Sequence, residues 1–257
     1  MGKIIAIANQ KGGVGKTTSC VNLAASIVTQ GRRILLLDLD PQGNASMGSG
    51  VNKNQVEYSA YEVLMGNCSA ATAIHSTQAG YDLIPANRDL TAAEVGLLNT
   101  ARKEFRLAQA LAVVKGSYDY IFIDCPPSLN MLTVNALVAA DSVLVPMQCE
   151  YYALEGLTGL VETIESIQST VNNKLKIEGL LRTMYDARNR LTTEVSDQLY
   201  KHFGEKVFKT VIPRNVRLAE APSFGVPALL YDKASQGALA YMELAREVLE
   251  KRETEFA

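Results

Sequence analysis

Short apolar runs alternate with amphipathic patterns along the whole chain. Continuous apolar runs occur at residues 4–8, 34–37 and 120–123, and at residues 143–146 within a predicted strand at 142–146. Runs of four or five apolar residues between polar or turn residues are typical of buried strands in a parallel sheet. Less continuous runs predict further strands at residues 81–85, 176–181 and 207–212.

Between these strands, apolar residues recur at intervals of three and four, which predicts helices. The pattern is clearest at Leu157, Leu160, Val161, Ile164, Ile167 and Val171. Further helices are predicted after residue 15 and at residues 60–65, 70–75, 89–100, 105–115, 131–139, 193–203 and 235–251. This alternation predicts an α/β fold, a single doubly wound, mainly parallel sheet flanked by helices. No repeat or linker interrupts the pattern, so we expect one domain over residues 1–257.

Composition narrows the class of protein. The chain has 257 residues, 47% of them apolar, which is enough for one large core. Its four cysteines lack metal-ligand spacing, and we expect reduced thiols in a cytoplasmic protein. We expect no signal peptide, because the first strand starts at the N-terminus, and no apolar run approaches the roughly 20 residues of a membrane span.

A glycine-rich loop separates the first strand from the first helix, and residues 11–18 read Lys-Gly-Gly-Val-Gly-Lys-Thr-Thr. A strand, a glycine loop and a helix in this order are typical of a phosphate-binding loop. Glycines let backbone N–H groups turn toward a polyphosphate, and the positive end of the helix points at the same anion. The predicted phosphate-binding residues are Lys11, Gly12, Gly13, Val14, Gly15, Lys16, Thr17 and Thr18.

Two residues of this loop have specific predicted roles. Lys16 is placed to reach the β- and γ-phosphates, and the Thr17 hydroxyl to ligate Mg²⁺. The loop also departs from the general pattern G-x-x-x-x-G-K-[ST], because Gln10 stands where the first glycine is expected. The chain instead has a second lysine, Lys11, at the start of the loop. Packing alone does not account for two lysines at one anion site, so we interpret the loop as a deviant Walker A motif.

Two of the predicted strands end in aspartates. Residues 34–37 run into Asp38-Leu39-Asp40, and we expect both carboxylates to face the same side of the strand end. The functional interpretation places Asp40 near the γ-phosphate, where it orients the attacking water; the alternative is a solvated acidic turn. Residues 120–123 end in Asp124, which gives the Walker B arrangement beside a phosphate loop. Its carboxylate holds Mg²⁺ directly or through water.

The loop after the last predicted strand begins with Pro213 and Asn215 flanking Arg214. In open α/β sheets, ligands bind beyond the carboxyl ends of the strands. We therefore expect this loop to hold the adenine base of ATP.

Positive charge is concentrated although the formal net charge is only −2. Residues 182–217 hold eight cations and four acids, a net charge of +4, which leaves −6 for the rest of the chain. Such a patch can neutralise DNA phosphates without reading sequence. Charge alone is equally compatible with an ordinary mixed surface. No recognition-helix pattern indicates direct base readout.

Together these residues resemble the ParA/Soj partition ATPases, within the deviant Walker A group of P-loop NTPases that also contains MinD. The resemblance covers essentially the whole chain. Its motifs are residues 11–18, residues 38–44 (Asp-Leu-Asp-Pro-Gln-Gly-Asn), residues 124–128 (Asp-Cys-Pro-Pro-Ser), residues 148–156 (Gln-Cys-Glu-Tyr-Tyr-Ala-Leu-Glu-Gly) and residues 213–222 (Pro-Arg-Asn-Val-Arg-Leu-Ala-Glu-Ala-Pro).

The resemblance implies a role for each site residue. Lys11 is the signature lysine that reaches the partner's ATP across a nucleotide-sandwich dimer. Lys11, Lys16 and Asp40 serve hydrolysis, Thr17 and Asp124 hold Mg²⁺, and Pro213 and Asn215 lie by the adenine. The implied DNA backbone contacts are Arg188, Arg190, Arg214 and Arg217.

The resemblance also implies a mechanism and partners. ATP stabilises a homodimer that binds double-stranded DNA non-specifically, and slow ATP hydrolysis, stimulated by a ParB-type centromere-binding protein, releases it. The expected location is the cytoplasm, on the nucleoid, with no membrane partner. The main alternative is a MinD-like membrane-cycling ATPase of division-site placement. A third possibility, an iron–sulfur carrier of the same superfamily, would need a cysteine pair, and the chain has no C-x-x-C sequence.

Overall fold

A computed structural model describes residues 2–98 and 100–256 of the protein, with side chains up to residue 253. Within this range the strands are β1 (Lys3–Ile7), β2 (Ile34–Asp38), β3 (His75–Ser76), β4 (Asp82–Ile84), β5 (Tyr120–Asp124), β6 (Ser142–Gln148), β7 (Lys176–Tyr185) and β8 (Val207–Pro213). They form one sheet in the order β3-β4-β2-β5-β1-β6-β7-β8. Only the short edge strand β3 is antiparallel to its neighbour among the described strands.

Helices connect the strands. They are α1 (Lys16–Val28), α2 (Asn44–Gly48), α3 (Ala60–Met65), α4 (Leu90–Leu98), α5 (Arg106–Ala112), α6 (Met131–Ala139), α7 (Ala153–Thr170), α8 (Arg190–Phe203), α9 (Val216–Glu220), α10 (Ala228–Tyr231) and α11 (Gln236–Phe256). No described helix is long and apolar enough to cross a bilayer.

The helices cover both faces of the sheet. Successive side chains of a strand point to opposite faces, so Ile4 and Ala6 pack in one core while Ile5 and Ile7 pack in the other. Buried residues of α3 to α8 complete the first core, and residues of α1, α2 and α9 to α11 complete the second. Each fully buried leucine or isoleucine contributes about 1.5–3 kcal/mol to stability. This three-layer α/β/α arrangement confirms the predicted fold class.

The carboxyl ends of three neighbouring strands define the edge of the sheet that matters for function. β5 lies between β2 and β1, and all three are parallel. In the pairing register, Asp124 lies opposite Ile7 on one side and Asp38 on the other. The glycine-rich loop that follows β1 therefore lies at the same edge of the sheet as Asp38 and Asp124.

Most predicted elements are confirmed, with boundaries within a few residues. The helix predicted at residues 70–75 is wrong, because a turn occupies most of this segment and β3 begins at His75. Ser69 and Thr72 bond to each other through their hydroxyls at 2.8 Å, and Thr72 N–H donates to the Ser69 hydroxyl and carbonyl. Such local bonds compete with a helical backbone. Helices α2, α9 and α10 were not predicted, since four or five residues are too few to show a period.

Candidate functional site

The phosphate loop has the open, left-handed backbone that its glycines predict. Gly13 has φ 74° and Gly15 has φ 88°, conformations that favour glycine. A Cβ atom added at Gly12 or Gly13 would meet nothing within 4 Å, so the loop is open on that side. Gly15 precedes α1, and no side chain caps the helix. Its N-terminal amides therefore remain available to an anion.

Two side chains from neighbouring strands hold this loop in place. Thr183, near the end of β7, donates its hydroxyl to the Val14 carbonyl at 2.8 Å. Gln148, at the end of β6, donates its amide to the Gly13 carbonyl at 3.0 Å. The sequence interpretation missed both roles. The available signal was their position near the carboxyl ends of strands, where ligand-binding loops of open α/β sheets lie.

The two lysines of the loop have different surroundings. Lys16 is buried, and its ammonium donates to the Lys11 carbonyl at 3.2 Å, within the loop itself. Burial lowers the pKa of Lys16, and the nearby Asp124 carboxyl opposes that shift. The Lys11 ammonium leaves the loop and forms an ion pair of 2.5 Å with Glu150, before α7. Lys11 is therefore half-exposed, on the open side of the site.

Asp124 and Thr17 form the centre of the site. The Thr17 hydroxyl donates to Asp124 Oδ2 at 2.7 Å. The other oxygen, Oδ1, is buried and has no hydrogen-bond partner within the described chain. Burial raises the pKa of Asp124 well above its ordinary value, and the neighbouring Asp38 raises it further.

These two side chains fit a magnesium ion. Mg²⁺ prefers oxygen ligands and is usually held by one or two carboxylates together with water and substrate phosphates. An unpartnered buried carboxylate oxygen beside a hydroxyl provides such ligands, and a cation would remove the cost of ionising Asp124. Among the described residues, no group of three or more histidine, cysteine, aspartate or glutamate side chains is arranged to hold a metal ion.

Asp38, the last residue of β2, and Asp40, two residues later, have different surroundings. Asp38 is buried and accepts from the Ser46 amide at 2.8 Å and the Ser46 hydroxyl at 2.7 Å. Asp40 instead lines a crevice of about 370 Å³ with Gly12, Lys16 and the rest of the loop. Leu37 and Leu39 pack in the same core, so the alternation of side chains continues past Asp38. Asp38 holds α2 against the strand through Ser46, and Asp40 opens onto the crevice beside the phosphate loop.

A second crevice, of about 190 Å³, continues from the phosphate loop toward β8. Gly15 and Thr18 line its inner end, and Pro213 and Asn215 line the outer end. The side-chain oxygen Oδ1 of Asn215 accepts from the Arg217 backbone amide at 3.1 Å and so caps α9. The structure therefore places the two residues predicted to lie by the base in a cavity continuous with the phosphate loop.

Three of the four arginines predicted to contact DNA already have acidic partners. Arg188 pairs with Asp186, Arg190 with Glu194, and Arg217 with Glu220 at 2.7 Å and Asp232 at 3.4 Å. The Arg188 hydrogen bonds lower the pKa of Asp186 to about 2. Arg214 is exposed as well, and its charge acts on Asp186. A phosphate must therefore compete with these carboxylates.

Comparison with known proteins identifies the family to which this chain is similar. A family model described as an AAA domain matches residues 2–177. The sporulation initiation inhibitor protein Soj of Bacillus subtilis is 54% identical over 96% of this chain and 98% of its own length. The chromosome partitioning protein ParA of Caulobacter vibrioides is 52% identical over 97% of this chain and 94% of its own length.

Solved structures agree with the fold. Cobyrinic acid a,c-diamide synthase from Mycobacterium smegmatis, with bound ATP analog and magnesium, is 38% identical, with a TM-score of 0.88 over 99% of this chain and 97% of that chain. The cell division ATPase MinD of Pyrococcus furiosus is 26% identical, with a TM-score of 0.80 over 97% of this chain and 99% of that chain.

Proposed function

This chain belongs to the Soj/ParA family of chromosome-partitioning ATPases, and on that premise we propose that it is an ATP-driven DNA-partitioning switch. ATP binding produces a nucleotide-sandwich homodimer that binds double-stranded DNA without sequence preference, and ATP hydrolysis releases the DNA. One observation carries this proposal: the two lysines of one phosphate loop differ in their partners. Lys16 is buried within its own loop, whereas Lys11 is half-exposed and directed away from it.

The phosphate loop and the strand-end carboxylate together support ATP as the nucleotide. The glycine backbone and the first turn of α1 bind the phosphates, and Lys16 neutralises their charge. Thr17 and Asp124 would hold magnesium, which would supply positive charge to stabilise the phosphates during hydrolysis. The adenine occupies the crevice that Pro213 and Asn215 line.

Asp40 is the proposed hydrolytic residue. Its position in the crevice beside the loop lets its carboxylate accept a hydrogen bond from water and orient that water toward the γ-phosphate. Its Oδ1 atom accepts from the Gln42 amide at 2.9 Å, which fixes the side chain. Positioning alone gives slow turnover, and we propose that a ParB-type partner stimulates it.

Dimerisation requires Lys11 to exchange one partner for another. Lys11 and Glu150 are each about half-exposed, and such a surface ion pair is worth only about 0–1 kcal/mol. A charge-assisted bond to phosphate in a water-excluded interface is stronger. The γ-phosphate of a second protomer can therefore draw Lys11 away from Glu150, which makes the dimer depend on ATP.

DNA binding follows from the doubling of the basic patch. One protomer presents Arg188, Arg190, Arg214 and Arg217, each of which is exposed. A dimer presents the set twice, and phosphate contacts act together in affinity and in salt dependence. Hydrolysis separates the protomers, and a single protomer then binds DNA too weakly to remain on it. The proposed location is accordingly the nucleoid, and residues 1–257 act as one nucleotide-binding domain.

The test is DNA retention as a function of nucleotide state. We expect retention with ATP and with a slowly hydrolysed analogue, and release with ADP or no nucleotide. Lys11→Ala is the matched control, because it should bind ATP through Lys16 yet fail to retain DNA. Equal retention in every nucleotide state would contradict the switch.

The structural similarity to MinD keeps one alternative open, a membrane-cycling ATPase. Its membrane-binding element would have to be an exposed amphipathic helix. The apolar stripe of α11 is not exposed, since Tyr241, Leu244 and Val248 are buried in the core. Co-sedimentation with anionic liposomes and with DNA, each with ATP, separates the two proposals: liposome binding without DNA binding would favour the alternative.

A further inference from the structure

Arg182 is a buried cation that the proposed mechanism does not use. It lies in β7 with 5% of its surface exposed. No carboxylate forms an ion pair with it within the described residues. Its Nε atom is also buried without a hydrogen-bond partner in the described chain. Burying a charge that has no counter-ion is costly even where the charged group is hydrogen-bonded. Stability alone therefore does not explain an arginine here.

The guanidinium instead joins two separate elements to β7. Nη1 donates to the Ser196 hydroxyl at 2.8 Å, and Nη2 donates to the Tyr200 hydroxyl at 2.9 Å, both on α8. Nη2 also donates to the carbonyls of Phe208 at 2.9 Å and Lys209 at 3.1 Å, both on β8. The guanidinium carbon lies 4.9 Å from the centre of the Tyr200 ring. A planar fork of donors suits this geometry, and a lysine cannot reproduce it.

These two elements carry the predicted DNA contacts. Arg190 is the first residue of α8, and Arg188 lies two residues before it. Arg214 follows the end of β8 directly, and Arg217 lies in the next helix, α9. Arg182 is thus hydrogen-bonded to both elements, α8 and β8, that position the exposed arginines.

Arg182 is also adjacent to the nucleotide site. The next residue, Thr183, bonds to the phosphate loop at Val14 and lines the base crevice. Successive residues of a strand point to opposite sides. The end of β7 therefore contacts the phosphate loop through Thr183 and α8 through Arg182.

We propose that Arg182 is a positioning residue that fixes the spacing between two arginine pairs, Arg188 with Arg190 and Arg214 with Arg217. The inference rests on the proposed DNA binding and adds to it a buried residue that touches neither DNA nor nucleotide. A rigid spacing lets several arginines meet successive phosphates at once, without ordering them separately during binding.

The test compares Arg182→Met and Arg182→Lys with the parent chain. The methionine variant removes both the positive charge and the planar set of guanidinium donors. The lysine variant keeps the charge but not the planar donors. We expect both variants to bind MgATP within about twofold of the parent and to dimerise with ATP. Arg182 touches neither the nucleotide nor Lys11, so the contacts for ATP binding and for dimerisation are not altered. We expect DNA affinity to fall about 5–10-fold at 0.1 M salt, with a salt slope less steep by about 1–2.

Asn135→Ala is the control for general destabilisation. Asn135 is buried on α6, away from the arginines, and bonds to the backbone of Lys103, Leu107 and Met131. It should lower the melting temperature and leave the DNA salt slope unchanged. Arg182→Met leaves two hydroxyls and two carbonyls without their donor and should also lower the melting temperature. Only Arg182→Met should also lose DNA affinity and show a shallower salt slope.

Three results would overturn the inference. They are an unchanged salt slope in Arg182→Met, parental DNA affinity in Arg182→Lys, or the same slope change in Asn135→Ala. If Arg182→Met does not fold, the double variant Ser196→Ala/Tyr200→Phe removes the hydrogen bonds to α8 and keeps the arginine. An unchanged salt slope in the double variant would also overturn the inference. A parent chain that never retains DNA would instead refute the proposed function.

Discussion

Arg217→Gln tests the electrostatic part of the proposal quantitatively. Arg217 lies on α9 with 44% of its side chain exposed, paired with Glu220 and Asp232. If the four arginines of each protomer contact phosphates, the ATP-bound dimer makes about eight contacts, and at about 0.9 per phosphate its log–log salt slope is about −7. The variant loses two contacts per dimer, so we expect a slope of about −5.

The difference is large enough to measure directly. Between 50 and 200 mM salt, the affinity of the parent dimer should fall on the order of 10⁴-fold, and that of the variant on the order of 10³-fold. Fluorescence anisotropy with a short duplex of arbitrary sequence measures both, using protein held with a slowly hydrolysed ATP analogue. The ATP-dependent dimer itself should be unaffected.

Arg246→Gln is the matched control. Arg246 is an exposed arginine on α11 that pairs with Glu243 three residues earlier, much as Arg217 pairs with Glu220 three residues later. Its loss should leave the slope near −7. A slope that is the same in parent, Arg217→Gln and Arg246→Gln would refute a DNA contact by Arg217. A parent slope shallower than about −2 would refute the four-arginine surface altogether.

Three further variants test the nucleotide site. Lys16→Ala should reduce MgATP affinity at least about 100-fold, because charge-assisted phosphate contacts are strong, and calorimetry that finds parental affinity would contradict this role. Asp40→Ala should bind ATP normally and lower hydrolysis at least about 100-fold, which phosphate release measures; parental turnover would remove Asp40 from the mechanism. Burial raises the pKa of Asp124, so the nucleotide-free chain should lose stability as pH rises from about 4 toward that raised pKa, since the folded state then binds more protons than the unfolded state. Asp124→Asn does not titrate and should melt at a higher temperature than the parent at pH 8 without magnesium; a lower melting temperature would contradict the stated cause.

The sequence predicts the strand–loop–helix unit well because each part has a local cause. Glycines at positions 13 and 15 have the positive φ that the loop needs, and the apolar run before them is buried in β1. Asp124 was predictable for the same reason, since it ends an uninterrupted apolar strand. The order of the strands was not predictable from these signals, because it depends on how distant segments pair.

The partners of individual side chains could not be predicted from the sequence, because they depend on which distant segments the fold brings together. Asp38 and Asp40 look equivalent in sequence, yet only the fold brings Ser46 to Asp38 and leaves Asp40 in the crevice. The pairing of Lys11 with Glu150 joins residues 139 positions apart, which no local pattern reveals. The burial of Arg182 is also a tertiary effect, since an arginine within an otherwise apolar strand is usually read as a surface position.

The central claim is that ATP joins two copies of the chain through Lys11, and the mass of the Asp40→Ala variant tests it most directly. Light scattering after size-exclusion chromatography should show about twice the chain mass of 27.9 kDa with ATP and Mg²⁺, and the single-chain mass with ADP. Adding Lys11→Ala should restore the single-chain mass with ATP. A variant that stays a single chain at saturating ATP and Mg²⁺ would contradict the claim.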